Sequence, residues 1–250
     1  MERSGGHGSL NPAMPADVAI HPVEELGTRF ARLIEESSLH AIASRGSFSM
    51  AVPGGSAARV LLPSLNAASI DWGRFSVFWV DERMVPPDHA DSNFRIAQTG
   101  WLNEVPIPAE RIHRMRGEHP VPAEAGVEYE RVLGEQLGEP ARIDLVLLGM
   151  GEDGHVASLF PGHPLLRAWD RTVAVLDDAP KPPSRRMTLT LKTVTAARRI
   201  VVFATGAEKA GAIRDALTNE ESELPVALAT MGDGPVTFLL DPAAASRVRR

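Results

Sequence analysis

The sequence predicts an α/β fold, a Rossmann-like, mostly parallel sheet with helices on both faces. Two observations carry this. Four short, almost continuously apolar runs each end at glycine or charge, and segments of helical periodicity lie between them. Strands that are apolar on both faces belong to parallel sheets covered by helices on either side, and alternating strands and helices give that layered architecture.

In chain order, residues 1–16 (MERSGGHGSLNPAMPA) are rich in Gly, Ser and Pro, lack an apolar run of signal-peptide length, and read as a flexible leader. Residues 17–250 read as a single α/β domain. Val23, Leu26, Phe30, Leu33, Ile34 and Ser37 fall at helical spacing, predicting an amphipathic helix over roughly 22–44. Ser47–Val52 predicts a strand that ends at Pro53-Gly54-Gly55, with a helix over 57–65 behind it. Phe75–Val80 predicts a second strand, ending at Asp81-Glu82-Arg83, and Asp91-Ser92 predicts the cap of a following helix. Ala125, Tyr129, Val132, Leu133 and Gln136 mark a helix over 122–138. Ile143–Leu148 and Arg199–Ala204 predict two more strands, which end at Gly149-Met150-Gly151 and Thr205-Gly206. Between Phe160 and Val194 the pattern is less regular, and Thr172–Leu176 with Met187–Leu191 predict a small antiparallel addition.

Composition narrows the function. With 44% hydrophobic and 23% charged residues over 250 positions, the chain is an ordinary globular protein with a sizeable core. Its net charge of −6 argues against a nucleic-acid partner, which calls for a basic face. It does not argue against a phosphorylated metabolite, because a few local cations and backbone N–H groups decide that. The absence of cysteine excludes disulfides, thiolate metal sites and a cysteine nucleophile, and suits a reducing, cytoplasmic setting. No apolar run is long enough to span a bilayer, so no membrane partner is expected. Monomer and dimer are equally open.

Ligands of parallel sheets bind beyond the carboxyl ends of the strands, and here those ends carry the polar and glycine residues. In Gly149-Met150-Gly151-Glu152-Asp153-Gly154-His155 the glycines let the backbone turn sharply. His155 has the side chain best suited to take a proton near neutral pH, and Asp153, two residues earlier, can hold its tautomer. A plain Asp-Gly turn would give the same spacing. Gly54-Gly55-Ser56 at a helix start can receive an anion on backbone N–H groups or serve only as a capped turn. The loop lacks the spacing and lysine of a nucleotide P-loop. Arg83 offers a planar fork of donors for phosphate or carboxylate, or a surface ion pair. His89 with Asp88 and Asp91 matches no familiar metal spacing. Arg186 and Lys209 are cations at the start and end of predicted strands.

Together these segments resemble the 6-phosphogluconolactonase family. GMGEDGHVASLFPG (149–162) is similar to its signature throughout, and PGGS, VDERMVPPDHADSN, RMTLTL and the Gly206–Lys209 pair follow in register over roughly residues 20–240. The resemblance implies a fold shared with glucosamine-6-phosphate deaminases and ribose-5-phosphate isomerases (NagB/RpiA/CoA transferase-like). It also implies hydrolysis of a phosphosugar lactone in the oxidative pentose phosphate pathway, with no metal and no cofactor. It gives His155 the role of base with Asp153 beside it. Gly54, Gly55 and Ser56 take the substrate phosphate, Asp81 and Arg83 face the substrate, Asn93 closes that motif, Gly151 belongs to the binding loop, and Arg186 and Lys209 surround the phosphate. Arg83 or an N–H of the 149–151 loop is left as the oxyanion donor. One departure stands out: the family loop continues Thr-Pro where this chain has Ala57-Ala58, so a phosphate hydrogen bond worth roughly 1.5–3 kcal/mol is lost if it is charge-assisted. Two other readings remain, a deaminase or isomerase of glucosamine-6-phosphate and a non-catalytic phosphosugar sensor. The first normally continues its Asp-Gly-His turn into Ala-Phe-Asn-Glu-Pro, and Ala157–Pro161 here lacks that acid.

Overall fold

The structure is a computed structural model describing residues 16–248; the leader expected over 1–16 lies, Ala16 apart, outside the described residues. Among the described residues nine strands are formed: β1 (Asp17–Ile20), β2 (Phe48–Val52), β3 (Phe75–Trp79), β4 (Asp81–Arg83), β5 (Leu145–Gly149), β6 (Val173–Leu176), β7 (Arg186–Leu189), β8 (Ile200–Ala204) and β9 (Val236–Leu240). Six of them make a wholly parallel sheet in the order β1-β9-β8-β5-β2-β3. Every residue of β2, β3, β8 and β9 is buried, which requires cover on both faces and explains the unbroken apolar runs.

Among the described residues seven α-helices connect the strands: α1 (Val23–Arg45), α2 (Gly55–Leu61), α3 (Asn93–Gly100), α4 (Pro122–Leu137), α5 (Leu191–Thr195), α6 (Ala210–Thr218) and α7 (Pro225–Ala229). The first buries Leu26, Phe30, Ile34, Ser38 and Ala41 and stops at Gly46, whose φ of +83° is the left-handed cap that glycine adopts without strain. Its apolar face is rotated slightly from the predicted one: Ser38 rather than Ser37 is buried, and Val23 is 43% exposed. Ser92 caps α3, accepting the Arg95 N–H as expected.

The predicted antiparallel addition is present and larger than expected. Asp81–Arg83, read in the sequence as charges at a strand tip, form a strand of their own, and β4, β7 and β6 make a three-stranded antiparallel sheet. The edge strand β1 and the strand β9 beside it were not anticipated.

Chain order fixes where a crevice opens. From β2 the chain goes outward to β3 on one side, then returns to place β5 on the other side of β2 and continues to β8 and β9. The loops leaving β2 and β5 therefore diverge, and a ligand crevice forms outside the carboxyl ends at such a reversal. Those two loops are Pro53–Ser56 and Met150–His155.

Leu147 lies fully buried on β5, inside the sheet. Leu147→Ala should lower unfolding free energy by about 3 kcal/mol and Tm by roughly 6–12 °C, read from urea and thermal melts.

Candidate active site at the strand tips

The loop after β5 is built around an imidazole–carboxylate pair. His155 Nδ1 lies 2.5 Å from Asp153 Oδ1, and the same oxygen accepts the His155 N–H at 3.3 Å. Gly151 makes this possible: a Cβ there would stand 2.0 Å from His155 Nδ1 and 2.5 Å from the carboxylate. The loop closes through the Gly151 N–H to the His155 carbonyl at 2.9 Å and the Gly154 N–H to the Gly151 carbonyl at 3.1 Å. The Gly151 amide is thereby committed within the loop, which removes it as an oxyanion donor and makes its role spatial.

Burial works to raise the Asp153 carboxyl, but its hydrogen bond to His155 and the charges of His155 and Lys181 outweigh that and leave it below its ordinary value. An ionised carboxylate only accepts, so the shared proton belongs to Nδ1 and the lone pair to Nε2. Burial pulls His155 below its ordinary value, against the pull of Asp153 in the opposite direction. The ring is consequently a neutral base at neutral pH. It also packs against Phe160, with ring centroids 4.9 Å apart, which fixes its plane.

Beyond the histidine, Ala157 adopts φ +51°, an unusual conformation for a residue with a Cβ, and Ser158 follows, fully buried. Strained residues of this kind concentrate at functional loops. The Ser158 hydroxyl donates to Asp81 Oδ2 at 2.6 Å, while Asn93 Nδ2 donates to Asp81 Oδ1 at 3.0 Å and to its carbonyl at 2.9 Å. Asp81 thus joins β4, the start of α3 and the loop of His155. Both carboxylate oxygens are engaged and the residue is buried, so it acts on the site through these partners.

The loop after β2 interlocks with the same network. A Cβ on Gly54 would fall 1.7 Å from Asn93 Oδ1, so only glycine admits the asparagine. Gly55 has φ +63° with open space where a side chain would be, and Ser56 is exposed. Ala57 is buried, and a Cβ on Gly149 would come 3.1 Å from its methyl. The alanine that departs from the family pattern therefore packs under the β5 tip.

Arg83, Arg186 and Lys181 lie around this network. Arg83 donates to the Asp91 carbonyl at 2.7 Å. Arg186 is buried, with its guanidinium tied to the carbonyls of Pro183 (2.9 Å) and Lys181 (2.8 Å) and its centre 5.7 Å from the Phe160 ring centroid. Burial pulls Arg186 down from its ordinary value and Asp81 pulls it up, with Arg83 near enough to oppose it. Lys181, overlooked in the sequence, lies close enough to lower both Asp153 and His155. Its amine stands 3.9 Å from Glu152. Lys209 follows Gly206 at the tip of β8, next to β5 in the sheet; among the described residues no bond joins it to the others. Among the described residues, no group of three or more His, Asp or Glu side chains is arranged to hold a metal ion.

Glu82, between Asp81 and Arg83, was also missed. Its buried carboxylate accepts the N–H groups of Asn93 (2.7 Å) and Phe94 (2.8 Å) at the start of α3, the Arg83 N–H and the Ser92 hydroxyl. Burial pushes it up to about 7 against those amides.

A parallel sheet with helices on both faces thus carries an imidazole–carboxylate pair and cations at its switch point. The model of the glucosamine-6-phosphate isomerases/6-phosphogluconolactonase family matches residues 22–238. A probable 6-phosphogluconolactonase 3, chloroplastic, of Oryza sativa subsp. indica is 41% identical over 241 residues, 89% of this chain and 73% of the rice protein. The Homo sapiens 6-phosphogluconolactonase is 38% identical, covering 89% of both chains. The 6-phosphogluconolactonase structure from Trypanosoma brucei superposes with a TM-score of 0.81 at 29% identity, over 95% of this chain and 100% of that one. The chain belongs to the glucosamine-6-phosphate isomerase/6-phosphogluconolactonase family.

Glu82→Ala leaves buried donors of β4 and α3 unsatisfied. It should cost about 3 kcal/mol of stability in urea unfolding, whereas substitution of the exposed neighbour Asp88 should cost under about 0.5 kcal/mol.

Proposed function

We propose that the chain is a carboxylic ester hydrolase that converts 6-phospho-D-glucono-1,5-lactone to 6-phospho-D-gluconate, with His155 as general base. The observation that carries this reading is the His155–Asp153 pair, 2.5 Å apart at the switch point, its Nε2 bearing the lone pair. Water adds to the lactone carbonyl carbon as Nε2 takes its proton. The ring C–O bond then breaks, and the imidazolium returns that proton to the departing ring oxygen. Asp153 stabilises the imidazolium, a contribution within the roughly 10²–10⁴-fold typical of general base catalysis.

The carbonyl oxygen gains negative charge during attack and needs a donor. With the Gly151 N–H engaged inside its loop, Arg83 takes that role in this reading: one of its nitrogens is fixed by the Asp91 carbonyl and the rest of the fork remains. The phosphate sits over Gly54, Gly55 and Ser56 with Lys209, and Arg186 adds positive potential from below. Held there, it fixes the ring for attack at a carbon remote from it. Asp81 and Asn93 keep the two loops in register.

Phe160 favours the lactonase over the deaminase reading. It stands where the deaminase pattern carries its glutamate, and it lies against His155. Ammonia release from glucosamine-6-phosphate would support the alternative, and tight phosphosugar binding without turnover would support a sensor. A cytoplasmic location belongs to the same reading and rests on the cysteine-free sequence; the rice relative bears a chloroplastic name. No described helix is long and apolar enough to cross a membrane.

His155→Ala should lower kcat by about 10²-fold or more with an unchanged melting curve. Gly151→Ala, which displaces the ring without removing it, should fall by about 10²-fold. For the wild type, kcat/KM should rise with pH through a value below 6.5 and be level at neutrality. Gluconolactone lacking the phosphate should show a large loss in kcat/KM. Near-normal turnover by His155→Ala, after subtraction of spontaneous hydrolysis, would remove histidine as the base.

A further inference from the structure

The opposite end of the sheet, where the strands begin, carries a second concavity of about 710 Å³. It lies one strand length from the catalytic loops, about 17 Å for five residues. Its walls come from the outer face of α1 and from the segments entering β5, β8 and β9. Five arginines line it: Arg29, Arg32, Arg45, Arg198 and Arg199. Against them stand three carboxylates, Asp17, Glu36 and Asp144. In a chain of net charge −6, a concave excess of positive charge runs counter to the rest of the molecule.

The carboxylates do not neutralise it evenly. Asp144 is claimed by Arg45 (2.8 Å) and Arg198 (3.3 Å) and also accepts the Ser49 N–H and hydroxyl at 2.9 Å. Among the described residues the Arg199 side chain makes only a long 3.5 Å contact with Thr237 Oγ1. Arg29 and Arg32, one helical turn apart on α1, form no ion pair within 4.0 Å among the described residues. Two loci of guanidinium donors thus face one groove, Arg29 with Arg32 on the helix and Arg199 with Arg198 on the strand side. A guanidinium fork matches phosphate bidentately. The groove's volume is that of a small-molecule site, and the net charge disfavours an extended polyanion such as nucleic acid.

We propose that this groove binds a small molecule bearing two phosphoryl groups, one at each arginine locus, at a site separate from the lactone crevice. The substrate, with a single phosphate, does not meet this description. Inorganic pyrophosphate is the probe, titrated calorimetrically into the full chain at constant ionic strength. Arg29→Ala/Arg32→Ala and Arg199→Ala should each weaken its binding about tenfold or more, with melting curves and lactone turnover as in the wild type. Lys209→Ala, at the other end of the sheet, should leave that binding unchanged. Inorganic phosphate should bind about tenfold more weakly than pyrophosphate. The proposal is overturned if no heat is seen at millimolar pyrophosphate, or if the arginine variants bind it like the wild type. Loss only in Lys209→Ala would assign the anion to the strand tips, and equal affinity for phosphate would refute the two-locus arrangement.

Discussion

A side chain at position 151 and the His155–Asp153 pair cannot occupy the same space. An added Cβ would stand 2.0 Å from the imidazole nitrogen, well inside any non-bonded contact, so glycine at the β5 tip is a steric precondition for the pair. The second-order effects build on this. The carboxylate orders the tautomer, burial keeps the ring neutral, and Phe160 holds its plane. The short Asp153 contact is strong because both groups sit in a partly desolvated loop, where a charge-assisted hydrogen bond gains over its value in water.

A second exclusion of the same kind joins the loops into one site. Gly54 leaves room for Asn93, Asn93 holds Asp81, and Asp81 holds Ser158 three residues beyond the histidine. The path runs through side chains with well-defined donors and acceptors, and it links β2, β4, α3 and the β5 loop. Glu82 anchors the same α3 terminus from the opposite face of its short strand. Consecutive residues of β4 therefore serve two purposes: Asp81 registers the loop of His155, and Glu82 satisfies the helix that carries Asn93.

Much of this was legible in the sequence, for reasons that differ by residue. The central strands announced themselves because burial on both faces demands unbroken apolar runs, as in FSVFWV and IDLVLL. Val236–Leu240, bounded by Gly234-Pro235 and Asp241-Pro242, gives the same signal and could have been read. The four residues of β1 are too short for any periodicity to speak. The β4 strand hid because three charged residues carry no apolar pattern; its character comes from pairing with β7. His155, Asp153 and the glycines were visible through spacing and resemblance. The direction of each side chain was not: Asp81 turned out to be buried scaffold, the Gly151 amide was already bonded, and Lys181 reached the pair from a distant loop. Such facts depend on three-dimensional neighbours that one-dimensional spacing does not encode.

An acidic protein that handles an anionic substrate must concentrate its positive potential, and the parallel sheet gives it the means. Strand ends bring residues far apart in sequence within reach of one another while the surrounding helices keep the mean charge negative. At the carboxyl end the cations are few and individually placed. Arg186 is stripped of water and tied by carbonyls, so its charge acts through a low-dielectric medium, where it is felt more strongly than an exposed charge would be. At the amino end the arginines are more numerous and more exposed, and their fields are partly screened. The two ends therefore differ in kind: one sets single cations around the His155–Asp153 pair, and the other gathers diffuse positive charge from five arginines.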